Sequence, residues 1–167
     1  MDVLTGTPGD ARSSSPIAVR PARAADRAFI RATAVRLADF SLPPWREAEE
    51  IVSGEVRTID EYFRGTLPGA AMLVAEAERR PLGFAFLETG RDYFSRREHA
   101  HVGILAVAED SEGLGVGRAL IAAAEEWARV RGLATLTLNV FERNARARRV
   151  YERAGFAAET LRYRKDV

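Results

Sequence analysis

Residues 101–117 read HVGILAVAEDSEGLGVG, and the passage falls into two parts. Its first part belongs to the run His99–Val107 (HAHVGILAV), which predicts a buried strand. Glu112-Gly113-Leu114-Gly115-Val116-Gly117 is a turn with alternate glycines, and the residues after it put Leu120, Ala124, Trp127 and Ala128 on one face of a helix that Gly132 ends. The glycines let the backbone turn tightly and remove the Cβ atoms that would block an incoming group. Amides at a helix start lack intrahelical partners, and the helix dipole adds partial positive charge there. A pyrophosphate is the natural guest of such a turn. The glycines alone fit a ligand-free strand-to-helix connection as well.

Outward from this unit the periodicity alternates between strand and helix. Ala134–Phe141 (ATLTLNVF) predicts a strand, and Asn144–Ala154 a helix with Ala147, Val150, Tyr151 and Ala154 in phase. Gly155 stops that helix, and the segment from Phe156 to Tyr163 is expected to add a last strand. Upstream, Ile17–Arg20 predicts a short strand, and Asp26 opens a helix that carries Ile30, Ala34, Leu37 and Ala38 on one face. The sequence FSLPP (40–44) breaks it, with Pro44 opening a second helix from Trp45 to Val52. Gly54, Gly65 and Gly69 punctuate a looser stretch. Ala71–Ala77 and Leu82–Glu88 then flank a hairpin turn at Glu78–Pro81, and a polar loop around Arg91–Arg97 leads back to the opening passage.

Composition sets the frame around this pattern. The chain has 167 residues, 47% of them hydrophobic, enough for one core and one domain. Residues 1–15 are small, polar and rich in Gly, Pro and Ser, which predicts a disordered arm before a single domain at 16–167. A net charge of +1 argues for neither a nucleic acid nor an anionic membrane surface as partner. The chain has no cysteine, so disulfides, thiolate metal sites and a cysteine nucleophile are excluded; no metal is expected. Neither an apolar signal core nor a membrane-length apolar run is present, and the expected location is the cytoplasm.

Other phosphate-binding patterns fit less well. The turn lacks the GK[ST] ending of a P-loop. A dinucleotide fold needs GxGxxG near its start and an acidic residue about 20 positions on. Here the spacing is GxGxG, the next strand ends in Asn139, and too little chain remains for that sheet.

Two motifs in order carry a more specific signal. The strand Leu105-Ala106-Val107 followed by the glycine turn resembles the [QR]xxGx[GA] signature of the GNAT superfamily, the acetyl-CoA-dependent N-acetyltransferases. Asn144, Ala147, Tyr151, Gly155 and Phe156 resemble the NxxAxxxYxxxGF pattern of the same superfamily. The resemblance runs from about His99 to Tyr163, and the hairpin and helices before it suit that fold's N-terminal half. It implies an α/β (α+β) fold, with a mixed central sheet of about six or seven strands flanked by about four helices. One departure stands out: Glu112 occupies the position where the family usually has Gln or Arg. A carboxylate beside a pyrophosphate is unhelpful, and Arg118, directly after the last glycine, is the expected compensating cation.

The same resemblance implies the chemistry: acetyl-CoA donates its acetyl group to a primary amine by direct attack in a ternary complex. It implies that backbone groups of Leu105, Ala106 and Val107 pair with the pantetheine arm as an added strand. Glu112, Gly113, Leu114, Gly115, Val116, Gly117 and Arg118 are then expected at the diphosphate. Asn139, Asn144 and Ala147 are expected beside the cofactor, with Asn139 lining the acceptor side. Tyr151 is implied as the general acid for the leaving thiolate, since a phenol of pKa about 10 stays protonated at pH 7. An acceptor amine of pKa about 10.4 must first lose its proton. In the histone-acetylating members the base lies eleven positions before the [QR] residue, which falls on His101 here. Glu98, His99 and an ordered water remain alternatives to His101. Of the arginines on the last helix (Arg146, Arg148, Arg149, Arg153), most are expected to be solvated and one or two to reach the 3′-phosphate. The acceptor, a small-molecule or peptide amine, is not legible in the sequence, and a homodimer is the family's suggestion for assembly. A non-catalytic acyl-CoA-binding module is the alternative reading, with Glu112 as the feature in its favour.

Overall fold

Strands whose residues are apolar on both faces form the middle of the molecule. The structure, a computed structural model, describes residues 15–167. Met72–Ala75 of β2 (Ala71–Ala77) and Leu82–Leu87 of β3 (Arg80–Arg91) are buried on both sides, so helices must cover both faces. The hairpin between them turns on Glu78 and Arg79, both at positive φ (50° and 66°), the geometry of a two-residue turn that follows the sheet's twist. Among the described residues the sheet has five strands in the order β1-β2-β3-β4-β5, with β1 at Ala18–Pro21, β4 at Glu98–Val107 and β5 at Leu136–Leu138. All neighbours are antiparallel except β4 and β5, which are parallel.

Each face carries its own core. On one, α3 (Val116–Val130) buries Val116, Leu120, Ala124, Trp127 and Ala128 against Leu73, Ala85, Leu87, Ala100 and Val102. Its end is closed by Gly132 at φ 69°, with the Leu133 amide donating back to the Ala128 carbonyl at 3.0 Å. On the other, Ile30 of α1 (Arg27–Thr33), Ala34 of the tight 3-10 turn after it, and Ile59 of α2 (Ala48–Phe63) cover Met72, Val74, Phe84, Phe86, Ile104 and Ala106. The last helix, α4 (Ala145–Arg153), follows β5. The mixed α/β sheet flanked by four helices is the expected architecture.

Three local expectations are corrected. The sheet has five strands, not six or seven, because no residue after Phe156 forms a strand. That tail offers few apolar side chains to bury, and Leu161 and Tyr163 stand 74% and 88% exposed. Instead Arg164 lies over the Trp45 ring at 5.6 Å. Strand β5 is shorter than Ala134–Phe141, because Phe141 leaves the sheet to pack its ring on Phe40 at 5.2 Å between centroids. Conversely, α2 begins at Ala48 and runs through Gly54 to Phe63. A helical glycine costs about 1 kcal/mol against alanine, and burying Ile59 beside Val56, Tyr62 and Phe63 outweighs it. The expected arm lies outside the described residues except for Ser15.

Register fixes where the sheet is interrupted. β3 and β4 pair as Phe86↔Ile104 and then Leu87↔Val102, so Gly103 is an extra residue in β4, a β-bulge. Another glycine, Gly83, sets how closely α3 approaches. A Cβ built there would lie 2.8 Å from the Ala106 carbonyl oxygen and 2.9 Å from Val116 Cγ1. Gly83→Ala is expected to destabilise the fold by about 1–3 kcal/mol through overpacking, read as a lower melting temperature by circular dichroism.

Candidate active site

Strands β4 and β5 share only a short ladder. Ala100, His101 and Val102 pair with Leu136, Thr137 and Leu138, and then β5 ends while β4 continues from the Gly103 bulge to Val107. The Ala108 amide donates to the Leu82 carbonyl at 2.8 Å, on the β3 side. By strand alternation the amides and carbonyls of Leu105 and Val107 point the other way, toward the gap left by β5. An extended chain bearing amides can pair there. Side chains of Leu105 and Val107 pack into the α3-side core, so any contact they make across the gap is through backbone.

The glycine turn closes one end of this gap. Gly113 and Gly115 have φ of 75° and 87°, and a Cβ at either would meet nothing within 4 Å, so the space before them is open. Gly115 is the N-cap of α3 and supplies no side chain to cap it. Ala119 donates to the Gly115 carbonyl at 3.0 Å, while the amides from Gly113 to Arg118 find no partner among the described residues. Free amides, open space and the helix dipole together suit a diphosphate. Ahead of the turn, buried Ser111 anchors the chain through Asp110 at 2.9 Å and Arg80 at 3.3 Å.

Glu112 is neutralised, but not by Arg118. Its Oε1 accepts from Arg36 Nη2 and from Arg146 Nη1 at 2.6 Å. Arg36 comes from the turn after α1, Arg146 from the first turn of α4. Arg118 has no ion-pair partner among the described residues. Proximity in sequence misled here, because the compensating cations arrive from elements far apart in the chain.

On α4, Asn144 is the N-cap, its Oδ1 accepting from the Ala147 amide at 3.1 Å. That oxygen is therefore committed to the helix, and Nδ2 is the group left to face a ligand. Helices α3 and α4 meet where Gly117 faces Val150, since a Cβ built at Gly117 would lie 3.9 Å from Val150 Cγ1. Tyr151 follows Val150, half-buried, its ring edge-on to Phe156 at 5.9 Å. Burial raises its phenol above the ordinary value, so it holds its proton throughout the neutral range. Asn139 lies exposed just past the end of β5. Of the other arginines of α4, Arg148 donates to the Glu142 carbonyl at 3.2 Å.

At the far side of the bulge a cavity of about 350 Å³ opens between α2, β3 and β4, lined by Glu55, Glu61, Glu88, Phe86, His101 and Gly103 among others. Glu88 pairs across the ladder with His101. His101 Nδ1 lies 2.8 Å from Thr137 Oγ1, and that hydroxyl donates to the Ala100 carbonyl at 3.3 Å. With the threonine proton on that carbonyl, His101 would donate from Nδ1 and Nε2 would be its free nitrogen. Burial lowers the histidine below its ordinary value, against the pull of Glu88, so the ring is neutral at pH 7. Burial also raises the Glu55 carboxyl. Glu98 sits outside the cavity lining, exposed and 3.6 Å from Arg91, and His99 is likewise not part of the lining. Tyr151 does not line the cavity either; it stands on α4, next to Val150.

Known proteins share this fold. The family described as "Acetyltransferase (GNAT) family" matches residues 34–156, most of the chain. The chain belongs to the GNAT acetyltransferase family. It is 28% identical over 128 residues to an aminoglycoside N(6')-acetyltransferase type 1 of Stenotrophomonas maltophilia, covering 75% of this chain and 80% of that protein. A putative acetyl transferase from Pyrococcus furiosus superposes with a TM-score of 0.69 at 25% identity, over 91% of this chain and all of that one. AAC(6')-Iy, solved with the bisubstrate analogue CoA-S-monomethyl-acetylneamine, shares the fold with a TM-score of 0.68 at 19% identity, over 92% of this chain and 100% of that one. This GNAT protein is accordingly an acetyltransferase, and acetyl-CoA is the family's acyl donor. Among the described residues no helix is long and apolar enough to cross a membrane.

Sequence reasoning missed Arg36, Glu55, Glu61 and Glu88. Glu88 was within reach, because Phe84, Phe86 and Glu88 alternate onto the face that carries His101 after the bulge is counted. Arg36 and Glu55 carry no local signal, since tertiary packing alone brings them to the site. Removing the cap by Asn144→Ala is expected to cost about 0.5–2 kcal/mol, and urea titration followed by circular dichroism measures it.

Proposed function

We propose that this GNAT protein transfers an acetyl group from acetyl-CoA to a primary amine of a cationic small molecule by direct attack in a ternary complex. The observation that carries this reading is the parting of β4 from β5, which leaves unpaired strand backbone between the glycine turn and the acidic cavity. In this reading residues 113–118 hold the diphosphate by their amides, and Leu105 and Val107 pair with the pantetheine arm. Acetyl-CoA supplies the acetyl group as a thioester. The acceptor enters from the cavity, where Glu55, Glu61 and Glu88 favour a positively charged amine and no Lys or Arg among the described lining residues opposes it. The relative from Stenotrophomonas maltophilia, whose name states an aminoglycoside as acceptor, supports the same class.

His101 Nε2 removes the ammonium proton, directly or through one water, with Thr137 fixing the tautomer and Glu88 stabilising the imidazolium that results. Tyr151 gives its proton to the leaving sulfur; its raised phenol keeps that proton available, and thiol and phenol are close in basicity. Burial raises the Glu55 carboxyl, and a bound ammonium would favour its ionised form.

Incubating the protein with acetyl-CoA and a panel of amines, read by mass shift, tests the proposal. Small polyamines and amino sugars are expected to gain an acetyl group while uncharged or anionic acceptors do not; a panel without any acetylated product would remove it. Tyr151→Phe is expected to lower kcat by about 10²-fold or more while leaving acetyl-CoA affinity nearly unchanged. His101→Gln should lower kcat/KM and abolish the acid limb of its pH profile, which in the wild type breaks below the ordinary histidine value because burial depresses the group. Equal kcat in the tyrosine variant, or an unaltered acid limb in the histidine variant, would count against the respective role.

A further inference from the structure

Glu112 would be a defect if it merely faced the phosphates. Its surroundings point elsewhere. One oxygen, Oε1, takes hydrogen bonds from two guanidiniums, Arg36 and Arg146. Arg36 is held tightly: its side chain is only 16% exposed, Nη1 lies 2.5 Å from Asp39, and its buried Nε has no partner. Arg146 is half exposed and uses only Nη1, leaving Nε and Nη2 unengaged among the described residues. Glu112 is also the first residue of the turn, immediately before Gly113. The guanidiniums of Arg36, Arg146, Arg118 and Arg80 stand at this end with the carboxylates of Asp39, Glu112, Glu109 and Asp110, Arg80 being paired with Asp110, so what the turn gains is the placing of two arginines rather than an excess of charge.

We propose that Glu112 is a positioning residue, whose carboxylate gathers Arg36 and Arg146 onto the rim of the glycine turn so that their unused N–H donors contact the diphosphate of coenzyme A. A guanidinium has five donors in a rigid fork, so one can be anchored on a carboxylate while others meet a phosphate. A lone Gln or Arg at 112 supplies one contact from the turn itself. Glu112 instead recruits two side chains from opposite ends of the chain, and it ties the segment after α1 and the start of α4 to the cofactor's edge. The inference rests on the reading that this turn seats the diphosphate.

Calorimetric titration with coenzyme A and with 3′-dephospho-coenzyme A tests it. If Glu112 only repelled the phosphates, Glu112→Gln would tighten binding. The proposal expects the opposite: Glu112→Gln weakens both ligands by roughly tenfold, the scale of one charge-assisted contact. Arg36→Ala and Arg146→Ala are expected to weaken both ligands similarly. Combining Glu112→Gln with Arg146→Ala should add little to either alone, as for residues acting as one unit. Arg146 is half exposed, so its alanine variant keeps the protein folded even if Arg36→Ala does not; an unchanged melting temperature checks this. Unchanged or tighter binding by Glu112→Gln overturns the proposal. A loss confined to coenzyme A and absent with the dephospho form also overturns it, since the contact would then be with the 3′-phosphate. Failure of the unmutated protein to bind either ligand would instead overturn the functional reading beneath it.

Discussion

A sheet is a cooperative hydrogen-bonding device, and here two neighbouring strands, β4 and β5, part after a short ladder. Past Val102 and Leu138, β4 and β5 no longer pair, although β4 stays bonded to β3 on its other side. Unpaired backbone within a sheet is costly unless another partner satisfies it, so such a gap persists only where surrounding packing enforces it. Two features do so. The extra residue at Gly103 bends β4, and the packing of Phe141 on Phe40 draws the chain after β5 out of the sheet plane. The glycine turn and the acidic cavity lie at the two ends of that opening.

The two sides of the opening differ in electrical character. At the glycine turn, free amides and the start of α3 supply partial positive charge, with Arg36 and Arg146 gathered beside it on Glu112. Across the bulge, Glu55, Glu61 and Glu88 make the cavity electronegative. A phosphate-bearing donor and a cationic acceptor would thus be sorted to opposite ends and meet where the sheet parts. The near-neutral total charge of +1 conceals this polarity completely.

Proton handling follows from the same partition. His101 is desolvated on the cavity side and biased to the neutral ring by burial, with Nδ1 2.8 Å from Thr137 Oγ1. Tyr151 is desolvated on the α4 side and biased to the neutral phenol. Burial thus keeps the imidazole neutral and the phenol protonated at the same pH, the pair of states that the proposed amine acylation would use. Glu112 shows the limit of reading such groups singly, because its charge is absorbed by arginines that only the fold brings to it.

Much of this was legible in the residues. The order of strand, glycine turn and amphipathic helix, and the motif from Asn144 to Phe156, depend on local periodicity and on backbone demands that glycine alone meets at Gly113 and Gly115. These determined the fold class, the family and the position of the turn. What only tertiary structure decided was where elements stop and which distant side chains meet. The length of α2 through Gly54, the early end of β5 and the absence of a strand after Phe156 were settled by which surfaces found a core to bury against. The Arg36–Glu112–Arg146 bridge and the acidic cavity facing His101 join residues separated by dozens of positions, and no local pattern encodes such a contact. Secondary structure is written in neighbours along the chain; charge complementarity at a site is written in neighbours through space.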